Sequence, residues 1–388
     1  MSALLLALAV IGFAGAVVAL VASLRTIRAV PSFDHEIEPP ARWPRLSVVV
    51  TARDEAETIG PALEAKLASD YPDLELIVVD DRSRDATGEI VDRLADGDRR
   101  VAPLHITTLP PGWLGKVHAM HRACEIATGE WILFSDADVH LEASALRRAV
   151  AHCEAKGLDH LAAFPHVWSS GLWIDAALTA LLRLLVHAGR LWAISDPKSS
   201  ATVGGGTFNL VRRELFDRIG GFDGARLDVL DDVLLGQRIK RAGGRQGAVK
   251  ATRYVGLHFY TTLGQMGRSL EKNGFAIHRY SLARLTISSL ALVAIELGPW
   301  IALVAGGEVT AALGAVGIAV GSVAAVVSSR WLERPILAAL LSPIGMLLVI
   351  AMWSRAAVLA IWRREIVWRD TRYSLEELER GARFELPM

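Results

Sequence analysis

From Met1 to Leu24 the chain carries no charged side chain, and an apolar run of about 20 residues matches a hydrocarbon core roughly 30 Å thick. A transmembrane helix is the reading that satisfies its backbone, because a helix closes its own hydrogen bonds in lipid. The run lacks a basic start and exceeds the usual length of a cleaved signal, which favours an anchor. Arg25 and Arg28 follow it and place the next segment on the cytoplasmic side. Apolar runs return at 285–305 and 309–328 as a helical hairpin around Gly306-Gly307-Glu308, with Arg279, Arg284, Arg330 and Arg334 at its other ends. A third stretch, 335–362, is interrupted by Pro343 and Arg355 and leads to Arg363, Arg364, Arg369 and Arg372. A simple crossing there would put that basic tail outside, so a re-entrant or broken segment stands beside it. Glu296, within the second span, reads either as a locally satisfied carboxyl or as part of a polar headgroup path.

The rest of the composition narrows the function. Hydrophobic residues make up 52% of the 388, while Lys+Arg and Asp+Glu are equal at 42, so no basic excess recommends nucleic acid as a partner. Cys124 and Cys153 form neither a disulfide framework nor a metal-ligand spacing, which fits a reducing compartment for the polar part.

Within the polar part, Pro31–Pro44 reads as an extended linker. Leu46–Thr51, Leu74–Val79 and Trp131–Phe134 are near-continuous apolar runs, as buried parallel strands require, and helical patterns cover 54–68 and 85–94. Each strand ends in polar or acidic residues. In an open α/β sheet ligands gather beyond the carboxyl ends of the strands, so Thr51–Glu55, Asp80-Asp81 and Asp136–Asp138 are expected to converge. No G-x-G-x-x-G follows the first strand and no G-x-x-x-x-G-K-[ST] is present, so dinucleotide and P-loop readings lack their phosphate loop. Asp136-Ala137-Asp138 supplies two hard carboxylates of the kind that hold Mg²⁺ or Mn²⁺ together with substrate phosphates.

The ordered set Ser47–Glu55, Val78–Asp85, Gly115-Lys116, Asp136-Ala137-Asp138 and Leu230-Asp231-Asp232 resembles glycosyltransferase family 2, and the flanking apolar segments resemble its membrane-bound, lipid-glycosylating branch. The resemblance implies a GT-A fold, an α/β nucleotide-sugar-binding domain with a mostly parallel sheet flanked by helices. It divides the chain into an anchor (1–28), a linker (29–45), the GT-A domain (46–282), a transmembrane region of about three segments (283–365) and a cytoplasmic tail (366–388). It further implies that Thr51, Arg53 and Glu55 line the nucleotide pocket and that Asp80 or Asp81 hydrogen-bonds the base, usually uracil. Asp136 would face ribose or metal, Asp138 would ligate a divalent cation, and Lys116 would sit near the diphosphate. Asp231-Asp232 stands where the family has Glu-Asp, which makes Asp232 the expected general base and inversion the expected outcome. Gly204-Gly205-Gly206-Thr207 resembles the stretch near the donor sugar, with Gly205 and Gly206 placed to let backbone approach a ligand. Gln265 and Arg268 match part of Q/R-x-x-R-W, the acceptor-associated motif, but Ser269 stands where the tryptophan would be.

Two other features have bland readings. His118-x-x-His121 fits a helix surface better than a metal pair, and Leu172–Ile194 reads as an amphipathic helix at the bilayer surface or as a core-facing one. The expected function is metal-assisted transfer of a single sugar, UDP-linked, to a lipid hydroxyl at the cytoplasmic face of a cell membrane crossed several times. A processive polysaccharide synthase, a catalytically silent scaffold and a nucleotidyl- or phosphotransferase are the alternatives.

Overall fold

The structure is a computed structural model, and it describes residues 2–35 and 37–385. The chain forms two compact units. One is an α/β unit of Val30–Trp168, Ala193–Leu257 and the residues from Arg380 onward; the other is helical and gathers the N-terminal residues up to Ala29, Ser169–Trp192 and His258–Glu379. Clustering in space thus departs from the linear division, since 169–192 and 258–282, expected inside the α/β domain, group with the apolar helices.

The α/β unit is built on β1 (Leu46–Ala52), β2 (Leu74–Asp81), β3 (Val101–Ile106), β4 (Trp131–Asp136), β5 (His140–Leu141), β6 (His160–Phe164), β7 (His166–Val167), β8 (Asn209–Arg212), β9 (Gln246–Lys250) and β10 (Val255–Leu257). Seven of these make one sheet in the order β3-β2-β1-β4-β8-β6-β9, and β5, β10 and β7 make a small second sheet. The β3-β2-β1-β4 half is parallel, and β8 runs antiparallel to both its neighbours. Side chains from Leu46 to Val50 and from Leu76 to Val79 are at most 1% exposed, which accounts for their unbroken apolar pattern. Helices Thr87–Gly97 and Gly115–Ile126 pack on β2, while Ala145–Lys156 packs on β6 and Asp231–Arg241 on β9. The expected helix over 54–68 begins only at Ile59, because the residues before it turn tightly and give their amides to the neighbouring loop. The segment before β1 is docked on the sheet unit: Ser32 bridges Lys250 of β9, and Tyr71 donates its hydroxyl proton to the Pro44 carbonyl at 2.5 Å.

Among the described residues, five helices are long and apolar enough to cross a membrane: Ala3–Ala29, Leu172–Ala193, Leu282–Ala305, Glu308–Trp331 and Ser342–Arg363. The stretch 335–362 divides into Ile336–Leu340 and Ser342–Arg363, with Pro343 in the first turn of the second helix. Leu172–Ala188 is core-facing rather than a surface helix. Two ion pairs fix it, Arg334–Asp175 at 2.6 Å and a closer Arg183–Glu296 contact, and Arg183 also donates to Ser342 Oγ at 2.9 Å. Glu296 is therefore the satisfied carboxyl of the two alternatives. Small residues permit close approach here: a Cβ on Gly345 would lie 2.2 Å from the Ala176 carbonyl oxygen.

Candidate active site

Parallel pairing fixes the geometry at the strand ends. Thr51 is in register with Asp136, and Ala52 with Asp80, so the tips of β1, β4 and β2 lie side by side. The loops beyond β1 and β2 are laced together by main-chain amides: Asp54 N donates to Ser83 Oγ (3.0 Å), Glu55 N to Thr87 Oγ1 (2.8 Å), Ala56 N to Asp85 Oδ2 (3.0 Å) and Arg84 N to Asp54 Oδ1 (2.7 Å). Asp54 and Arg82 hold φ of +53° and +59°, a left-handed conformation that non-glycine residues keep where surrounding bonds enforce it. Arg53 is drawn in, with 11% of its side chain exposed, and its Nε lies 4.0 Å from Asp54 Oδ2.

The adjacent acids of β2 diverge, as alternation along a strand demands. Asp81 is 4% exposed and grips the Arg82 guanidinium with both oxygens, at 2.7 and 2.9 Å, beside Gly115. Asp80 faces Gly88 and His105, whose Nδ1 lies 3.2 Å from Asp80 Oδ2. The His105 pKa is raised, first by its hydrogen bond to Asp92 and then by Asp80.

A cavity in this unit is lined by Thr51, Lys116, Asp136, Gly206, Asn209, Asp231 and Asp232 among others. Lys116 Nζ lies 2.6 Å from Asp136 Oδ1. Burial opposes the lysine's charge, but Asp136, Asp231 and Asp232 outweigh it and hold the ammonium well above the usual lysine pKa. Asp232 Oδ2 accepts from Gly206 N at 2.9 Å and Oδ1 from Val233 N at 2.8 Å, so both carboxylate oxygens are pinned at the helix start, each with a further lone pair for a ligand. The Gly206 carbonyl in turn accepts from Asp136 N at 2.9 Å. Glycine is required at two places in this stretch: a Cβ on Gly206 would lie 2.8 Å from Asp136 Oδ2, and one on Gly204 only 1.9 Å from the Asp232 carbonyl oxygen. Gly205 faces open space, its nearest contact for an added Cβ being Thr207 Oγ1 at 3.9 Å.

Asp138 follows on the same turn. Burial first, then the charges of Asp136 and Glu55, push its carboxyl up to about 6. Hard oxygen donors crowded by like charge fit a divalent cation, which takes its remaining ligands from phosphate. Among the described residues no group of three or more His, Cys, Asp or Glu gathers into a closed metal cage, so phosphate oxygens would have to complete the shell.

Several residues escaped the sequence reading. Lys66 is fully buried on the apolar face of its helix, in step with Ile59, Ala62 and Leu63, and donates to the carbonyls of Val139 and, at 3.5 Å, Asp136. Burial pulls its pKa down to about 7, against the opposing pull of Asp138 and Asp136. A lysine in phase with an apolar stripe was the available signal. His118, expected on a helix surface, is 5% exposed, with its ring edge against Trp113, because it lies on the buried side of Gly115–Ile126. Gln265 and Arg268 belong to the helical unit, on Leu263–Ala276, where Gln265 Oε1 accepts from Thr261 N and Oγ1 at 2.7 and 2.9 Å.

Residues 47–220 match the family model "Glycosyl transferase family 2". The chain is 33% identical over 123 residues to "Succinoglycan biosynthesis protein ExoO" of Rhizobium meliloti (strain 1021), covering 31% of this chain and 34% of that protein. It is 29% identical over 191 residues to "Probable glycosyltransferase YdaM" of Bacillus subtilis (strain 168), covering 46% of this chain and 43% of that one. The chain thus spans less than half the length of either relative. A mannosyltransferase from Pyrobaculum calidifontis, solved with GDP-Man and Mn²⁺, superposes with a TM-score of 0.59 at 21% identity, over 93% of this chain and 100% of that one. Residues 47–220 thus match glycosyl transferase family 2, and the α/β unit has the GT-A fold.

Proposed function

We propose that this chain is a membrane-embedded glycosyltransferase that moves one sugar from a nucleotide sugar to a lipid hydroxyl with inversion. The observation that carries the reading is the joining of Asp136, Lys116 and Asp232 around one cavity, with Gly206 between the two acids. The helical unit supports a lipid as the acceptor, since five apolar helices keep the protein where lipids are.

Asp232 takes the proton from the acceptor hydroxyl as its oxygen attacks the anomeric carbon. The new C–O bond forms on the face opposite the breaking bond, and the nucleoside diphosphate leaves with that electron pair, so the anomeric centre inverts. Lys116 offsets charge that builds on the leaving diphosphate. Asp138 and Asp136 are the residues that would hold a divalent cation, Mg²⁺ or Mn²⁺, whose Lewis acidity helps the same departure. Thr51, Arg53 and Glu55, at the tip of β1, supply polar contacts for the nucleoside. Gln265 and Arg268 are assigned to acceptor engagement, and the α/β unit is assigned to the cytoplasmic side on the strength of Arg25 and Arg28.

The test is nucleoside diphosphate release by the full chain in detergent, with a panel of UDP-sugars and GDP-mannose, with and without a membrane lipid extract and EDTA. Release that needs lipid, falls with EDTA and yields a singly glycosylated lipid by mass spectrometry supports the reading. Elongating chains on the product would instead assign a polysaccharide synthase, and no turnover with any donor would overturn it.

A further inference from the structure

Behind Asp232 runs a chain of polar side chains through the sheet, with Thr202, Gln246, His160 and Asn209 each at most 6% exposed. Its hydrogen-bond directions are forced from both ends. The Asp232 carbonyl can only accept, so Asn209 must present its amide nitrogen to it, at 3.3 Å. Asn209 Oδ1 then faces His160 Nε2, which must carry the proton. At the other end the Gly236 carbonyl can only accept, so Gln246 must present its nitrogen there, at 2.6 Å. The same Gln246 nitrogen lies 3.1 Å from His160 Nδ1, which is therefore the accepting nitrogen. Gln246 Oε1 is filled by the Thr202 hydroxyl at 3.1 Å. The two derivations meet on one tautomer of one neutral imidazole, and burial, which pulls the His160 pKa down to about 4, agrees.

Strand register explains the alignment. His160 on β6 is paired directly with Gln246 on β9, and Asn209 on β8 is paired with Ala162, two residues along β6 on the same face as His160. Both ends of the chain terminate on the helix Asp231–Arg241, at Asp232 and one turn later at Gly236. Ordinary core packing would not select three amide- and imidazole-bearing side chains where aliphatic ones would fill the space, since each brings groups that cost free energy unless paired.

We propose that His160, Gln246 and Asn209 are positioning residues that act through one another to hold the first turn of the Asp231–Arg241 helix in place, and with it the Asp232 carboxylate at the acceptor oxygen. Asn209 reaches the cavity wall itself, whereas His160 and Gln246 act only from behind it. The proposal rests on Asp232 being the general base.

The experiment compares His160→Phe, Gln246→Met, their double variant and Asp232→Asn in the detergent-solubilised full chain, with UDP-sugar as donor and membrane lipid extract as acceptor. Expected for each single variant is a 10- to 100-fold fall in kcat with the donor KM within about twofold, because donor binding does not use the base. The double variant falls no further than the worse single one, as members of one network do. Slow hydrolysis of the donor by water is reduced less than transfer to lipid, because a misplaced base loses the oriented hydroxyl first. Where His160→Phe does not fold, Gln246→Met and Thr202→Val, which remove hydrogen bonds at nearly constant volume, carry the same readouts. Wild-type kcat in folded Gln246→Met, or equal loss in kcat and in donor affinity, overturns the positioning role. Retained activity in Asp232→Asn overturns instead the assignment of the base on which it rests.

Discussion

Asp136 and Asp232 are joined through a single residue: Gly206 gives its amide proton to the Asp232 carboxylate and takes the Asp136 amide proton on its carbonyl, both at 2.9 Å. The acid proposed to face a metal at the tip of β4 and the acid proposed as the base at a helix start thus share one stretch of backbone. Displacing that stretch should disturb both. Gly206→Ala puts a methyl group 2.8 Å from Asp136 Oδ2 and 3.2 Å from Lys116 Nζ. We expect turnover to fall on the order of 10- to 100-fold, since sub-ångström misplacement of reacting groups has effects of that size. The melting temperature should hardly change. Steady-state kinetics beside a thermal melt checks both.

Lys116 Nζ is bonded to the Asp136 carboxylate at the cavity wall. Lys116→Met removes the charge proposed to face the leaving diphosphate while keeping the length of the stem. Donor affinity should weaken by on the order of tenfold or more, read by titrating nucleoside diphosphate onto the purified protein. Unchanged affinity would place the diphosphate elsewhere.

His160 gives stability a pH dependence. Its pKa is about 6.5 in the unfolded chain and about 4 when folded, so below 6.5 the unfolded state binds the extra proton. Its contribution is intact above pH 6.5 and is lost as pH falls toward 4, by up to about 3 kcal/mol at ~1.4 kcal/mol per unit. Urea unfolding at pH 7.5 and 4.5 should show a larger drop for the wild type than for His160→Phe. Equal drops would mean that the imidazole is not held neutral.

The Arg183–Glu296 pair has 9% and 15% side-chain exposure in apolar surroundings. Removing one partner leaves the other charge buried, at a cost of about 3–5 kcal/mol, whereas replacing both with apolar side chains of similar volume is close to neutral. Arg183→Met and Glu296→Leu should each lower the melting temperature in detergent, and the double variant should recover most of the loss.

Lys66→Met leaves the carbonyls of Val139 and Asp136 without their buried donor, which costs about 1–3 kcal/mol. Chemical denaturation should show that loss. Stability equal to wild type would mean that water replaces the ammonium.

How much of this was legible in the chain follows from physical type. Strands β1, β2 and β4 were readable because burial on both faces demands unbroken apolar runs, and their acidic tips marked the site. The β6, β8 and β9 part of the sheet was not. His160, Asn209 and Gln246 interrupt those short strands with polar side chains whose partners lie far apart in sequence, so no local periodicity reports them. Lys66 did leave a local trace, in phase with Ile59, Ala62 and Leu63, but the two distant carbonyls that meet it leave none. Leu172–Ala188 stayed between two readings, since its Asp175 and Arg183 look like a polar face until Arg334 and Glu296 are seen to pair with them. Hydropathy did not locate the break at Leu341 within 335–362, because the helices on either side share the same apolar composition.

The most direct measurement is a single-turnover comparison of Asp232→Asn, Asp231→Asn and wild type, with donor prebound and lipid acceptor added in excess. The expected result is a loss of roughly 10²–10⁴-fold in the transfer step for Asp232→Asn with donor affinity unchanged, and a smaller loss for Asp231→Asn. Transfer by Asp232→Asn within a few-fold of wild type would contradict Asp232 as the base and move the chemistry to another part of the cavity.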